Sequence, residues 1–217
     1  MEFPDLSPYT YRKPLIPMRS VGWLGPKLGL QGNGSQRLED SAKVRLHEAS
    51  WGLVSMTLGW YECDFCPAGA RFQGNGEYRY YTRRGEVYGA PMMILHYVDE
   101  HGYCPPAEFL ADLGQEGDLE WDWRADRLAE VALDRSEDPE NREDAFSDIA
   151  HWREPRALEV LRQVARDEVM ISVSGHQLGQ TIGHFVGCDF AGDLLAEDFH
   201  IEVRQSIPGA PGTVAQR

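Results

Sequence analysis

The sequence feature that most constrains the fold is a set of four metal-binding residues in two close pairs. Cys63 and Cys66 form a C-x2-C turn, and His96 and His101 follow with H-x4-H spacing. Zinc prefers a tetrahedral shell of thiolate and imidazole ligands, and a short C-x2-C loop turns both sulfurs towards one ion. The pattern therefore predicts a structural Zn2+ site, closed by four protein ligands, in the N-terminal half of the chain.

The two histidines lie near the end of an apolar stretch, MMILHYVDEH, that is typical of a helix. Pro91 stands where a first helical residue is favoured, and Gly102 is a usual stop residue. Five residues along a regular helix correspond to about 500°, which leaves the two imidazoles about 140° apart. We therefore expect the last helical turn to loosen or tighten, and Gly102 makes that distortion inexpensive.

Two alternatives for these residues stay open at this point. Cys104 forms an H-x2-C arrangement with His101 and competes with His96 as the fourth ligand. A C-x2-C pair is also found in redox proteins, although the βαβ context of such motifs is missing here. Four protein ligands leave no position for an activated water, which favours a structural metal over a catalytic one. Cys188 is isolated in the sequence and is expected to be a small core or surface thiol.

The residues around the two pairs predict a small α+β unit. The aromatic and β-branched residues at 51–66 are typical of a strand that leads into the cysteine turn. The next stretch predicts a hairpin with strands at Glu77 to Tyr81 and Glu86 to Tyr88. Residues 38–49 have helical apolar spacing. The first 35 residues are rich in Pro and Gly, and are predicted to be an irregular segment wrapped over a core.

The second half of the chain is predicted to be helical throughout. The composition becomes acidic near 118, so we place a zinc-binding α+β domain at 1–118 and a helical domain at 119–217. The predicted helical segments are DRLAEVALD, PENREDAFSDIAHW, EPRALEVLRQVARD, VMISVSGHQLGQTI and AGDLLAEDFHIEVRQSI. The final stretch, PGAPGTVAQR, has few apolar residues and is predicted to be a frayed tail.

The N-terminal half resembles an uncharacterised family of small bacterial proteins. The resemblance covers roughly residues 3–110 and lies in FPDLSPYTY, VGWLG, YECDFC, GNGEYRYY and VYGAPMMILHYVDEHGYCPPAEF. In that family the cysteine pair recurs together with the two histidines of H-Y-x3-H, whereas other residues are usual at the position of Cys104. The resemblance therefore implies a shared metal site, with His96 rather than Cys104 among its ligands.

The C-terminal half resembles HEAT-type helical repeats of the short, lyase-associated kind, in NREDAFSDIAHWREPRALEVLRQVARD. The resemblance is to a pattern of two or three repeat units and implies a scaffold or a binding face. Because one helix cannot bury its apolar face alone, successive helices are expected to pack together. The residues expected in that contact are Ala145, Ile149 and Trp152 on one helix and Ala157, Leu158, Leu161 and Val164 on the next.

Charge and the lack of recognisable chemistry favour a non-enzymatic binding protein. The chain has 35 acidic and 21 basic residues, a net charge of −14, which argues against nucleic-acid binding and favours a basic partner. The sequence shows no clear nucleophile with a base and no phosphate-binding loop, and alternating acids near 116–122 are expected to be solvated. It also lacks a run of about 20 apolar residues and a signal-peptide core, so a cytoplasmic protein without membrane contact is expected.

The most specific functional hypothesis is an immunity-type inhibitor. Such a small acidic protein would neutralise a basic toxin, for example a nuclease, by covering its active site, and electrostatic steering would hasten the encounter. A generic adaptor or regulator with another protein partner is the alternative within the binding class. A metal-dependent hydrolase, in which one of the four ligand positions is open, is the alternative from another class.

Overall fold

The computed structural model describes residues 1–30, 38–56, 59–67, 72–195 and 197–210. The chain divides into two compact units, Met1–Gly117 and Asp118–Arg217. The first unit combines strands with helices and the second contains helices, so the predicted α+β class is confirmed. The tail predicted to fray lies, from residue 211 onwards, outside the described residues.

Both units are assembled from short elements. The strands of the first unit are β1 (Arg19–Ser20), β2 (Tyr61–Glu62), β3 (Gln73–Gly74), β4 (Glu77–Tyr81) and β5 (Val87–Pro91). Its helices are α1 (Asp40–Ala49), α2 (Ile94–His101) and α3 (Ala107–Leu113). The helices of the second unit are α4 (Trp123–Leu133), α5 (Pro139–Ile149), α6 (Pro155–Val164), α7 (Glu168–Gly183) and α8 (Ile201–Ser206).

A three-stranded sheet with the order β1-β5-β4 forms the centre of the first unit. β5 pairs antiparallel with β4 and parallel with β1, and a separate antiparallel pair joins β2 to β3. Successive side chains on a strand point to opposite faces, so Tyr78 and Tyr80 share one face of β4 while Glu77 and Arg79 share the other. Both faces of β4 are buried, which explains why all five of its residues are inaccessible.

The predicted hairpin is present, but its second strand covers Val87–Pro91 instead of Glu86 to Tyr88. β5 extends to Pro91, which lies opposite Glu77 in the antiparallel register. Pro91 was expected to open the following helix, and that expectation was wrong because strand pairing continues through it; α2 begins at Ile94 instead. A proline is compatible with this position because it terminates the strand, where its missing N–H is not required.

The N-terminal segment predicted to be irregular also contributes a strand to the sheet. Backbone N–H groups of Val21 and Tyr9 donate to the carbonyls of Gly89 and Met18, at 3.1 and 2.9 Å. The indole N–H of Trp23 donates to the Gly89 carbonyl at 2.9 Å. The two bonds to Gly89 hold the segment against β5, and the bond between Tyr9 and Met18 joins two parts of the segment itself.

An aromatic core lies on the other face of the sheet, under α1, α2 and α3. Tyr80 and Tyr88 each contact Phe109 edge to face, with ring centroids 5.1 and 5.0 Å apart. Ile94 and Tyr97 of α2 belong to the same buried cluster. Because α2 is fixed by this core, the two histidines that it carries are held in defined positions.

The second unit is helical, and the residues expected at the contact between α5 and α6 are buried. Ala145, Ile149, Trp152, Ala157, Leu158, Leu161 and Val164 each expose at most 1% of their surface. Helix α5 contacts α4, α6 and α7. The assignment of these helices to HEAT-like repeats stays a prediction.

Helix α7 and the last helix differ from the sequence-based expectation. The predicted helix over 191–207 is much shorter, since α8 covers six residues. Helix α7 is interrupted at Ser174, whose φ and ψ are −139° and 19°. A Cβ at Gly179 would lie 2.2 Å from the carbonyl oxygen of Val203, so glycine is required where α7 meets α8.

The second unit is expected to lose stability between about pH 6.5 and pH 4 because of His184. Burial, together with the positive charge of Arg153, lowers the pKa of His184 to about 4. The unfolded chain takes up this proton near pH 6.5. The free energy of unfolding should therefore fall across this window, by at most about 3 kcal/mol. Urea denaturation of His184→Gln should show a weaker pH dependence than the wild type; an equal dependence would contradict this assignment.

Candidate metal centre

The C-x2-C turn is held by strand pairing and by hydrogen bonds within the turn. Cys63 follows β2 directly, and its backbone N–H donates to the Phe72 carbonyl at 2.8 Å, which continues the β2–β3 pairing. The backbone N–H groups of Phe65 and Cys66 donate to the sulfur of Cys63. A short turn of this kind orients both cysteine sulfurs towards the same point.

Helix α2 supplies both histidines to the same point. The helix continues to His101 and ends at Gly102, which adopts a left-handed conformation with φ of 67°. The N–H of Gly102 donates to the Tyr97 carbonyl and closes the last turn. The rings of His96 and His101 lie nearly perpendicular, at 83°, with centroids 4.8 Å apart.

The four potential ligand atoms form a compact cluster. The Nε2 atoms of His96 and His101 are 3.1 Å apart. The Cys63 sulfur lies 3.2 Å from His101 Nε2, and the Cys66 sulfur lies 3.2 Å from His96 Nε2 and 3.4 Å from His101 Nε2. One atom from each residue lies within 4.8 Å of every other, so this cluster could hold a metal ion.

The cluster is partly shielded from solvent. Cys63 is fully buried, whereas Cys66, His96 and His101 are half-buried. Burial raises the pKa of the Cys63 thiol, and the two N–H groups that donate to its sulfur oppose that shift. Burial and the neighbouring imidazole of His101 lower the pKa of His96. A neutral imidazole is the form that binds a metal, and a cation would further favour the thiolate.

Two phenylalanines outside the predicted ligand set enclose the cluster. Phe72 stacks on His96 with ring centroids 4.5 Å apart and an interplanar angle of 10°. Phe65 contacts His101 edge to face at 5.9 Å. Neither residue was predicted to be part of the site. Phe65 lies between the two cysteines in the sequence, and Phe72 directly precedes β3. The pairing of β3 with β2 brings Phe72 close to the cysteine turn.

The other two cysteines lie outside this cluster of ligand atoms. In the described part of the chain, Cys104 is a half-buried free thiol and does not join the four clustered residues. Cys188 is also a half-buried free thiol, and the Arg153 guanidinium lies 3.4 Å from its sulfur.

Part of the acidic stretch near 116–122, which was expected to be solvated, has a structural role. The carboxylate of Asp122 accepts from the backbone N–H of Arg124 at 3.0 Å and thereby caps α4. The same carboxylate accepts from the guanidinium of Arg124, which is 2% exposed. The indole N–H of Trp152 donates to the Glu120 carbonyl at 3.0 Å. An aspartate directly before a helical segment is typical of an N-cap, so the position of Asp122 in the sequence indicated this role.

Comparison with known proteins places the first unit in a family. Residues 1–114 match the family described as Domain of unknown function (DUF7919), and this match covers more than half of the chain, which therefore belongs to that family. The prediction that the N-terminal half belongs to an uncharacterised family is confirmed in this general form. Neither a curated protein nor a solved structure gives a significant match. Within the described residues, every helix is too short or too polar to cross a lipid bilayer.

Proposed function

We propose that this member of the DUF7919 family is a non-enzymatic protein-binding module whose cysteine–histidine cluster is a structural zinc site. The helical unit serves as a HEAT-like scaffold that docks on a basic protein. In its specific form, the protein is a cytoplasmic immunity-type inhibitor of a basic toxin. The two units would then have separate tasks, since the metal stabilises one and the charge of the other attracts the partner.

The donor set and its distances support zinc as the metal. A tetrahedral zinc ion, with bonds of about 2.3 Å to sulfur and about 2.0–2.1 Å to nitrogen, places neighbouring sulfur and nitrogen ligands about 3.6 Å apart. Two nitrogen ligands would be about 3.3 Å apart on the same geometry. Four of the six separations, three of 3.2–3.4 Å and one of 3.1 Å, are slightly shorter than these values, and all six lie within 4.8 Å. Two thiolates and two imidazoles complete the shell, which suits a structural ion.

The uneven distribution of charge is the observation that carries the proposed binding function. Residues 118–217 contain 21 acidic and 10 basic side chains, a net charge of −11, whereas residues 1–117 contain 14 and 11, a net charge of −3. Several of the arginines are already paired, for example Arg142 with Asp167 and Arg162 with Glu197. The remaining carboxylates produce a negative field around the helical unit, which would accelerate association with a basic protein.

An exposed tryptophan supports a protein partner for the same unit. Trp123, the first residue of α4, exposes 59% of its surface. Tryptophan is enriched among the residues that contribute most to protein–protein binding. Val169 and Val173, one turn apart on α7, are 54% and 58% exposed. These side chains would supply apolar contact after the charges have guided the encounter.

The proposed function is tested by capture of partners and by relief of toxicity. The chain is used to capture proteins from its native host, and it is co-expressed with any lethal basic protein encoded beside it. We expect a basic protein to be recovered and its lethality to be relieved. Failure to recover a basic protein, together with failure to relieve lethality, would contradict the proposal. One bound zinc per chain without metal-stimulated hydrolysis separates this function from that of a metal-dependent hydrolase.

Neutralising exposed acids on the second unit should slow association with the captured partner. The variant carries Asp118→Asn, Glu168→Gln, Asp189→Asn and Asp198→Asn. We expect the association rate constant at low salt to fall about tenfold and the difference to shrink at high salt, because steering is screened. The measurement is stopped-flow or surface-plasmon-resonance kinetics as a function of ionic strength.

A matched variant of the first unit provides the control for this experiment. It removes the same number of exposed charges through Glu39→Gln, Asp40→Asn, Glu48→Gln and Glu116→Gln. We expect it to alter the association rate much less than the variant of the second unit. Equal effects of both variants would show that net charge matters and its location does not, which would contradict docking through the helical unit.

A further inference from the structure

A groove in the second unit lies at the point where α7 is interrupted. Its walls come from α5, α7 and α8, and it encloses about 930 Å³ including its open mouth. The lining residues that carry the argument are Glu143, Ile171, Val173, Ser174 and Glu202. The groove lies within the helical unit, so it is separate from the cysteine–histidine cluster of the first unit.

Two carboxylates from different helices meet at the interruption of α7. The Ser174 hydroxyl donates to Oε2 of Glu143, a residue of α5. A Cβ at Gly175 would lie 3.4 Å from the Cβ of Glu202 and 3.5 Å from its Oε2, so this side chain of α8 lies directly against the α7 backbone. Because Ser174 and Gly175 are consecutive, α7 receives two negative charges at neighbouring points. A cation placed beside both of them would be attracted by both.

These two carboxylates are not compensated by basic side chains in the groove. Among the described residues, its lining contains neither lysine nor arginine. Glu143 and Glu202 belong to none of the ion pairs within that part of the chain. Arg142, which precedes Glu143, is paired with Asp167, and Arg204 of α8 does not line the groove. The groove therefore presents negative charge to a partner.

The remaining lining offers apolar and uncharged surface beside the carboxylates. Val173 exposes 58% of its surface, and Ile171 is half-buried. His176 is the third titratable side chain of the lining, and its Nδ1 lies 2.9 Å from the Ser206 hydroxyl oxygen. Lysine and arginine side chains combine a charged end with an apolar stem, which matches this mixture of surfaces.

We infer that this groove is the place where a basic partner protein inserts a lysine or arginine side chain. The charged end lies beside Glu143 and Glu202, and the stem with its apolar neighbours contacts Ile171 and Val173. The inference rests on the proposed function, since it names the part of the helical unit that contacts the basic protein. Charge complementarity selects the occupant, because an acidic segment would be repelled by both carboxylates.

Two short peptides test the groove without the natural partner. Acetyl-KLAKLAK-amide and acetyl-ELAELAE-amide are titrated at low salt against the full chain, labelled with nitrogen-15 and with its metal bound, and backbone amide shifts are followed by NMR. We expect the lysine peptide to cause saturable shifts at residues 171–177 and 202–206, and the glutamate peptide to cause none there. Absence of binding by the lysine peptide, or shifts confined to other parts of the chain, would overturn the inference.

A double variant assigns the binding to the two carboxylates. Glu143→Gln with Glu202→Gln should raise the dissociation constant of the lysine peptide about fivefold, because two ion pairs are lost. Glutamine still accepts the hydrogen bond of Ser174. The control, Asp118→Asn with Asp189→Asn, removes two exposed charges of the same unit outside the groove. We expect it to change the constant less than about twofold; equal effects of the two double variants would contradict the assignment.

A second pair of variants decides the matter if the first double variant does not fold. Val173 and Val169 are both exposed residues of α7, at 58% and 54%, but only Val173 lines the groove. Val173→Lys should weaken the lysine peptide at least about fivefold by placing a like charge in the groove. Val169→Lys adds the same charge to the same helix and should have a much smaller effect. Equal affinities of the two lysine variants would overturn the inference.

Failure of this inference and failure of the proposed function give different results. A captured basic partner that binds the wild type and the Glu143→Gln/Glu202→Gln variant equally would overturn the groove and leave the proposed function in place. Groove-dependent binding of the lysine peptide, without a captured basic partner, would contradict the proposed function and support the groove as a site for cationic peptides.

Discussion

Replacement of Cys63 by serine is expected to release the metal ion and to unfold Met1–Gly117. Cys63 is fully buried, and its sulfur lies 3.2 Å from His101 Nε2 at the centre of the cluster. A serine hydroxyl is a much poorer zinc ligand than a thiolate. Structural zinc sites contribute roughly 10 kcal/mol or more of apparent binding free energy, which is comparable to the whole stability of a typical domain. Metal content by plasma mass spectrometry and melting by circular dichroism measure the two effects.

Cys104→Ser is the matched control for that experiment. Cys104 is also a partly buried cysteine of the same unit, and it competed with His96 as the fourth ligand when the sequence was considered alone. We expect the Cys104→Ser variant to retain one zinc per chain and to melt within a few degrees of the wild type. Retention of zinc by Cys63→Ser, or its loss from Cys104→Ser, would show that the ligand assignment is wrong.

The clustered residues were predictable because their spacing is a local property of the chain. A C-x2-C turn brings two sulfurs together independently of the tertiary fold, and the H-x4-H spacing is within the range seen when one helix supplies two zinc ligands. The residues that enclose the cluster were not predictable in this way. Phe72 reaches His96 because β3 pairs with β2, and that pairing involves two residues on each strand. So short a strand leaves little periodicity in the sequence.

Long-range pairing also explains the errors in the predicted elements. β1 is two residues long and lies parallel to β5, although about 70 residues separate them along the chain. The helix expected to begin at Pro91 starts at Ile94, because pairing with Glu77 keeps Pro91 in the sheet. Proline has the fixed φ that suits either position. Local sequence preference therefore could not decide whether Pro91 ends the strand or begins the helix. The pairing of Pro91 with Glu77 decides it.

A buried ion pair in the second unit likewise could not be predicted from the sequence. Arg142 and Asp167 were read within separate helical segments, yet the guanidinium of Arg142 lies 2.9 Å from the Asp167 carboxylate. Both side chains are nearly inaccessible, with exposed fractions of 4% and 8%. Charged residues in a helical pattern are usually solvated, so a buried pair between helices could not be distinguished from surface charges. Its energetic importance follows from burial, which the sequence does not reveal.

Asp167→Ala is accordingly expected to destabilise the second unit far more than the loss of an exposed helix cap does. Burial by itself would raise the pKa of Asp167, but hydrogen bonds from Arg142 and from the N–H of Val169 outweigh it and lower the pKa. The substitution removes the cap of α7 and leaves Arg142 buried without this counter-charge. Loss of one partner of a buried pair costs about 3–5 kcal/mol. Urea denaturation, with hydrogen exchange of the α7 amides, measures the change.

Two further variants separate the loss of the cap from the loss of the counter-charge. Asp138→Ala removes an exposed cap, which accepts from the N–H of Glu140 at 2.8 Å, and should cost about 1 kcal/mol. Adding Arg142→Met to Asp167→Ala should recover part of the lost stability, because the double variant no longer buries an uncompensated guanidinium. If Asp167→Ala were as mild as Asp138→Ala, the pair would contribute little beyond capping. The recovery in the double variant therefore identifies the buried charge, rather than the helix terminus, as the source of the effect.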